Sequence, residues 1–178
     1  MSDKEIGVYI CNFNKKEYIL KNLAALEKQT MRQRMDIHVI DNASSDGAPD
    51  AIEEAFPDVT VIRNRVNIGG AGGFHQAMVA GEKEGYPYLL LADNDIIADK
   101  DAVYELKAFL DTHPEAGMVG AKVYLMDAPD RIWIYGNYID FTHFKMINGF
   151  ENQLDDGTLP EVVLCDTVPS CFSLIRTE

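Results

Sequence analysis

Apolar residues recur along this chain in two alternating rhythms. Short, mainly apolar runs at residues 6–10, 37–40, 59–62, 88–92 and 118–125 have the length and composition of strands buried on both faces of a parallel sheet. Between them the spacing changes to threes and fours. Leu20, Leu23 and Leu26 mark one helix, Phe74, Ala77, Met78 and Gly81 a second, and Val103, Leu106, Phe109 and Leu110 a third. Pro49, just after Gly47, opens a further short helix over residues 49–55. The resulting order, strand and helix in strict alternation, predicts an α/β fold: a mostly parallel central sheet with helices on both faces.

After residue 126 the alternation fails. Residues 131–139, 144–147, 161–165 and 172–175 have strand character and are joined by turns, of which Asp155-Asp156-Gly157 is the clearest exposed one. They predict a small mixed β appendage. No repeat, low-complexity tract or linker separates it from the rest, so residues 1–178 are expected to form one domain.

Composition narrows the partners. Lys and Arg number 16 against 29 Asp and Glu, a net charge of −13, which disfavours nucleic acid and anionic lipid, both held through basic contacts to phosphate. The same acidity means that an anionic diphosphate ligand would have to arrive with a divalent cation, since each close carboxylate repels it by up to about 4 kcal/mol at an effective dielectric near 20. No run reaches the roughly 18 apolar residues of a membrane helix, and the first residues, Met1-Ser2-Asp3-Lys4-Glu5, are no secretory leader. Cys11, Cys165 and Cys171 are odd in number and lack metal-ligand spacing. A reducing cytoplasm is the expected compartment.

Ligands of open α/β sheets collect where strands end, so the residues after each run carry the chemistry. They are Cys11-Asn12-Phe13-Asn14 after the first and the segment from Asp41 to Gly47 after the second. Asn67 and Gly69-Gly70-Ala71-Gly72-Gly73 follow the third, and Asp93-Asn94-Asp95 the fourth. Were strand geometry to persist through that triplet, Asp93 and Asp95 would project to one side and Asn94 to the other. Two hard oxygen donors at a strand end suit Mg²⁺ or Mn²⁺. The plainer account is a polar turn leading into a helix whose first turn holds Asp99 and Asp101. The glycines allow close backbone approach to an anion before a helix starting near Phe74, or else only a tight turn and close packing. They do not form a dinucleotide fingerprint, because His75 stands where the third glycine belongs. Asp41 could accept from a base edge or ribose, or close an Asx-turn. Trp133 and Tyr135 share one face of a strand, for sugar stacking or for packing. His75 is a candidate for substrate contact, whereas His38 and His113 are given no role.

In this order and spacing the four segments resemble glycosyltransferase family 2, whose catalytic domain has the GT-A fold; the doubled glycines followed by Phe74 look most like its galactofuranosyltransferase and rhamnosyltransferase-like members. The resemblance spans essentially the whole chain. It implies an inverting, metal-dependent transfer from a nucleoside diphosphate sugar, UDP-galactofuranose or a dTDP-rhamnose-like donor, to a saccharide acceptor in cell-surface polysaccharide synthesis. Cys11, Asn12, Phe13, Asn14, Asp41 and Asp93 would then bind the nucleotide, and Asn67, Gly69, Gly70, Gly72, Gly73 and Asn94 the donor sugar and diphosphate. Asp95 and Asp93 would take Mn²⁺ or Mg²⁺, with Asn94 in a slot often filled by Asp. Residues 1–126 would form the nucleotide-sugar part and 127–178 the start of the acceptor side. The catalytic base of such enzymes follows a segment like residues 168–176, so it is expected beyond Glu178, with any membrane association also outside this chain. Ser170 stands where Gly is common in the family. A sugar nucleotidyltransferase would share the sheet but needs a glycine-rich basic loop after the first strand. A receiver-like module wants acidic residues where Asn12, Asn14 and Asn64 stand.

Overall fold

The structure, a computed structural model, describes residues 4–177; the amino-terminal Met1-Ser2-Asp3 and the terminal Glu178 lie outside it. The first two thirds alternate as the spacing predicts: β1 (Ile6–Asn12), α1 (Lys16–Leu26), β2 (Met35–Asp41), α2 (Ala48–Ala55), β3 (Thr60–Arg63), α3 (Gly69–Glu84), β4 (Tyr88–Asp93), α4 (Ala102–Thr112) and β5 (Met118–Gly120). Two-residue β6 (Val123–Tyr124), β7 (Ile132–Ile134), β8 (Asn137–Asp140), β9 (Lys145–Asn148) and β10 (Phe172–Arg176) follow. The central sheet runs β3-β2-β1-β4-β10-β5. Its first four strands are parallel, and β10 lies antiparallel between β4 and β5.

Burial explains the order. β1 and β4, central and almost wholly buried, are the most uniformly apolar segments, whereas β3 at the edge carries exposed Thr60 and Arg63. On one face α1, α2 and α4 insert Ile19, Leu23, Leu26, Ile52, Val103, Leu106 and Leu110 against Ile6, Val8, Ile10 and Leu90. On the other, α3 covers Tyr9, Ile40, Leu89 and Leu91. The face that α3 presents is Gly73, Ala77 and Gly81, with Phe74 packed at its border; of the residues expected from spacing only Met78 points to solvent. Small side chains let this helix lie close: a Cβ on Gly73 would sit 2.5 Å from Cys11 Sγ, and one on Gly81 would sit 2.3 Å from Leu89 Cδ2.

Beyond β5 several expected strands change. The run at 118–125 breaks in two: β5 stays on β10, with Ala121 N–H still on the Phe172 carbonyl (3.1 Å), and β6 leaves to pair with β7. The expected strand at 131–139 is interrupted by Gly136 at φ 76°, where a Cβ would come within 2.9 Å of Cys165. Residues 161–165 form no strand; their neighbourhood is tied instead by Asp166 N–H to the Asn137 carbonyl (2.9 Å) and Tyr135 Oη to the Pro160 carbonyl (2.9 Å). The appendage therefore consists of two antiparallel pairs, β6–β7 and β8–β9, and β10, expected within it, completes the main sheet.

A buried polar cluster lies under the end of α3. His38 stacks on Tyr9 with ring centroids 4.6 Å apart, its Nε2 is 3.3 Å from Tyr86 Oη, and Tyr86 donates to Asp36 (2.9 Å). Burial lowers the His38 pKa, against the opposing pull of Glu84 and Asp36. A folded-state pKa below the unfolded value of about 6.5 means that the folded chain binds fewer protons there. The associated stability is complete above that value and is lost as pH falls below it. In urea titrations at pH 7.5 and 5.5 the parent should lose more stability on acidification than H38F, which keeps the stack on Tyr9; equal losses would remove His38 as the cause.

Candidate functional site

The chain runs outward from β1 to β2 and β3, then returns to β4 on the other side of β1. This is the topological switch point at which open α/β sheets bind ligands. Asn12, Asp41 and Asp93 end the three strands that meet there, with Asn12 beside Asp41 and Cys11 beside Asp93 in register.

Asp41 is 2% exposed. Its Oδ2 accepts from Ser44 N–H (2.9 Å), three residues on, closing a local turn with Ala43 at φ 64°, and its Oδ1 accepts from Asn12 Nδ2 (3.1 Å). The local-turn account thus holds, although each carboxylate oxygen keeps a second lone pair. Asn14, at φ 51°, closes the same corner by accepting from Ser45 N–H (2.8 Å), while Phe13 is exposed beside it. Of the expected nucleotide residues, Cys11 has its sulfur against α3 at Gly73, which makes it a packing group.

Strand geometry ends at Asp93, and Asn94 and Asp95 form a turn, so the alternation expected through the triplet does not apply. The two carboxylates still feel each other: the Asp93 pKa is raised first by burial and then by the charge of Asp95. Asp95 is exposed. Asn94 turns back and donates to Asn12 Oδ1 (2.8 Å), so its amide already has a protein partner. Register places Asp93 between Cys11 on β1 and Cys171, whose carbonyl accepts from Asp93 N–H (2.9 Å). Burial, and then Asp93, pushes the Cys11 thiol up to about 12 and the Cys171 thiol up to about 11. Both stay protonated near neutral pH and are poor metal ligands or nucleophiles.

Among the described residues no group of three or more His, Cys, Asp or Glu side chains could hold a metal. Two acidic groups with mutual repulsion and no third protein ligand fit Mg²⁺ or Mn²⁺, ions that keep several positions for water and phosphate oxygens. They do not fit a closed structural zinc site.

The turn is held from below by a residue absent from the expected set. Asn22 of α1, 1% exposed, donates through Nδ2 to the carbonyls of Asp93 (3.2 Å) and Ile96 (2.7 Å). Just beyond the end of α1, Gln29 donates to the Asp99 carbonyl (2.6 Å) and accepts from Val103 N–H (3.1 Å). The only sequence trace of this clamp is a polar residue on the apolar stripe of α1, between Ile19 and Leu23.

The glycines differ most from expectation. Helix α3 starts at Gly69, not near Phe74, so Gly70, Gly72 and Gly73 form its first turn. Gly69 has φ 75°, its N–H is capped by Asn67 Oδ1 (2.8 Å) and its carbonyl accepts from Asn42 Nδ2 (3.2 Å). A Cβ on Gly70 would meet nothing within 4 Å. The first-turn amides of a helix have no intrahelical acceptor and favour an anion. Gly73, by contrast, serves the close packing on β1. His75 is exposed on the next turn.

On the far side of Asp95 lies a cleft of about 720 Å³, walled by Ile97, Lys122, Tyr124, Met126 and Trp133 as well as Asp95. Alternation along β7 buries Ile132 and Ile134 and leaves Trp133 40% exposed toward the cleft, whereas Tyr135 is buried. Lys122 pairs with Asp155, which also accepts from Tyr124 Oη (2.5 Å). These partners, Lys122 first, hold the Asp155 carboxyl down at about 2. The turn expected at residues 155–157 is present, with Gly157 at φ 81°, but its first carboxylate is tied to the cleft wall.

Solved structures share this arrangement of strands. The mannosyltransferase PcManGT from Pyrobaculum calidifontis, in complex with GDP-Man and Mn²⁺, matches with a TM-score of 0.60 at 22% identity, over 70% of this chain and 37% of its own. S. aureus TarS 1–349 gives 0.57 at 24% identity over 67% and 35%. The same TarS fragment in complex with UDP-GlcNAc gives 0.55 at 21% identity over 70% and 41%. This chain spans less than half the length of each. No match was found among curated proteins. No helix of the described residues is long and apolar enough to cross a membrane. Residues 7–172 match glycosyl transferase family 2, and with strand ends, acidic triplet and helix start gathered at one switch point the chain belongs to that family and has its GT-A fold.

Proposed function

We propose that this chain binds a nucleoside diphosphate sugar at the β1/β4 switch point, as the donor-binding part of an enzyme that transfers the sugar, with inversion, to a saccharide acceptor entering along the Trp133 cleft. The observation that carries this is the position of Asp95: it belongs both to the triplet at the strand end and to the wall of the cleft. A donor on one side and an acceptor on the other would meet there.

In this reading Asn12, Phe13, Asn14 and the Asp41 turn form the pocket for the base, and Asp93 lies toward the ribose. Asn67, which already holds the Gly69 N–H, and the first-turn amide of Gly70 face the diphosphate and sugar at the start of α3. Asp93 and Asp95 would hold Mg²⁺ or Mn²⁺, and that ion would supply the positive charge that a departing diphosphate needs in so acidic a chain. Asp95 orients the diphosphate end, while Trp133 offers an acceptor ring an apolar platform. The sequence resemblance favours UDP-galactofuranose or a dTDP-rhamnose-like donor, cell-surface polysaccharide as product and the cytoplasm as compartment.

Thermal shift with UDP, dTDP and GDP, each with and without Mn²⁺, tests this. At a ligand concentration of 100 Kd the stabilisation is about 2.7 kcal/mol, or roughly 5–10 °C for a chain of this size. UDP or dTDP should give such a shift with Mn²⁺ and far less without it, and GDP should give less than either. Melting temperatures indifferent to every nucleotide in Mn²⁺ would end this proposal.

A further inference from the structure

Asp41, Asn12 and Asn94 form a line of side-chain hydrogen bonds across the ends of β2, β1 and β4, and its direction is dictated by chemistry. A carboxylate only accepts. Asp41 Oδ1 therefore takes the amide NH₂ of Asn12 at 3.1 Å, and Asn12 must present its oxygen to the opposite side, where Asn94 Nδ2 lies 2.8 Å away. Asn12 is 1% exposed, so water offers it little alternative. Turning the Asn12 amide over would set its oxygen against the Asp41 carboxylate. Asp41 is itself held in orientation by Ser44 N–H on its other oxygen.

We infer that Asn94 is a positioning residue whose amide, oriented by Asp41 through Asn12, ties the Asp93–Asp95 turn to the Asp41 end of the pocket, so that position 94 must donate a hydrogen bond. An aspartate there would set its carboxylate against the Asn12 oxygen. The central residue of the triplet thus reports on the residue that ends β2, two strands away. The hydrogen-bond relay stands on contacts of the ligand-free protein; its effect on nucleotide binding rests on the function proposed above.

The relay can be reversed. With Asn at 41 the Ser44 bond is kept by the new amide oxygen, the new NH₂ donates to Asn12, and Asn12 then offers its own NH₂ to an aspartate at 94. N94D alone should lower the ligand-free melting temperature by roughly 3–6 °C. Adding D41N to N94D should bring it back to within about 2 °C of the parent, whereas D41N added to N94L, which can neither donate nor accept, should not. The recovery should persist in 0.5 M NaCl, where repulsion among exposed carboxylates is screened. Failure of D41N to rescue N94D, equal rescue of N94L, or a rescue abolished by salt overturns the relay. In N94L the factor by which Mn²⁺ tightens UDP binding should fall about 5-fold; an unchanged factor overturns the positioning role. If the parent binds no UDP while the melting pattern holds, the proposed function fails and the relay remains.

Discussion

Replacing Asp95 by Asn should remove the Mn²⁺-dependent part of nucleotide binding while leaving the ligand-free protein as stable as its parent or more so. Both halves follow from one electrostatic fact. In the absence of a cation the Asp95 charge opposes ionisation of the partly buried Asp93 carboxyl, so neutralising Asp95 relieves a repulsion that folding otherwise tolerates. With nucleotide present the balance reverses, because the diphosphate adds negative charge beside a chain already at −13. Losing one of only two acidic donors should then weaken Mn²⁺-supported binding by at least the roughly 10- to 100-fold that even an outer-shell partner of a metal is worth. Calorimetry with UDP and Mn²⁺, alongside a melt of the ligand-free variant, reads both. Parent-like Mn²⁺ dependence in D95N would place the cation elsewhere.

Asn22→Leu is expected to have the second-largest effect, and it acts on the same turn from the opposite side. Leucine fills similar space on the buried stripe of α1 but cannot bond the Asp93 and Ile96 carbonyls, which bracket Asn94 and Asp95. Stranding buried acceptors costs about 1–3 kcal/mol each. Part is recovered, since Asn22 Oδ1 is itself buried without a hydrogen-bond partner among the described residues. A net loss of about 2 kcal/mol corresponds to a melting temperature lower by roughly 4–8 °C. Hydrogen exchange should rise at residues 94–99 before it rises in β1 or β4, since those amides belong to the segment the clamp holds. A variant that melts like the parent and protects residues 94–99 equally would show that the loop stands without Asn22.

The two substitutions separate what a local pattern can reveal from what it cannot. Asp95 was visible as one of two carboxylates at the end of an apolar run. Asn22 was not, because a single polar residue between Ile19 and Leu23 has the same local signature whether it is tolerated or required; its partners lie 71 and 74 residues away. Cys171 likewise enters the site only because β10 pairs with β4.

Sequence by itself determined the alternation of β1 to α4, the apolar faces of α1 and α4, and the strand ends at which Asn12, Asp41 and Asp93 stand. These depend on periods of two and about four residues, which local sterics and burial impose within a single element. Tertiary structure decided where β10 goes, since a five-residue apolar strand is equally content beside β4 or in an appendage until its neighbours exist. It also decided that α3 begins at Gly69: the close approach of Gly73 to Cys11 compensates for a helix start rich in glycine, a cost that propensity alone would have refused. And it decided the orientation of Asn94, because an amide has two equivalent ways to point until a carboxylate two strands away leaves it only one.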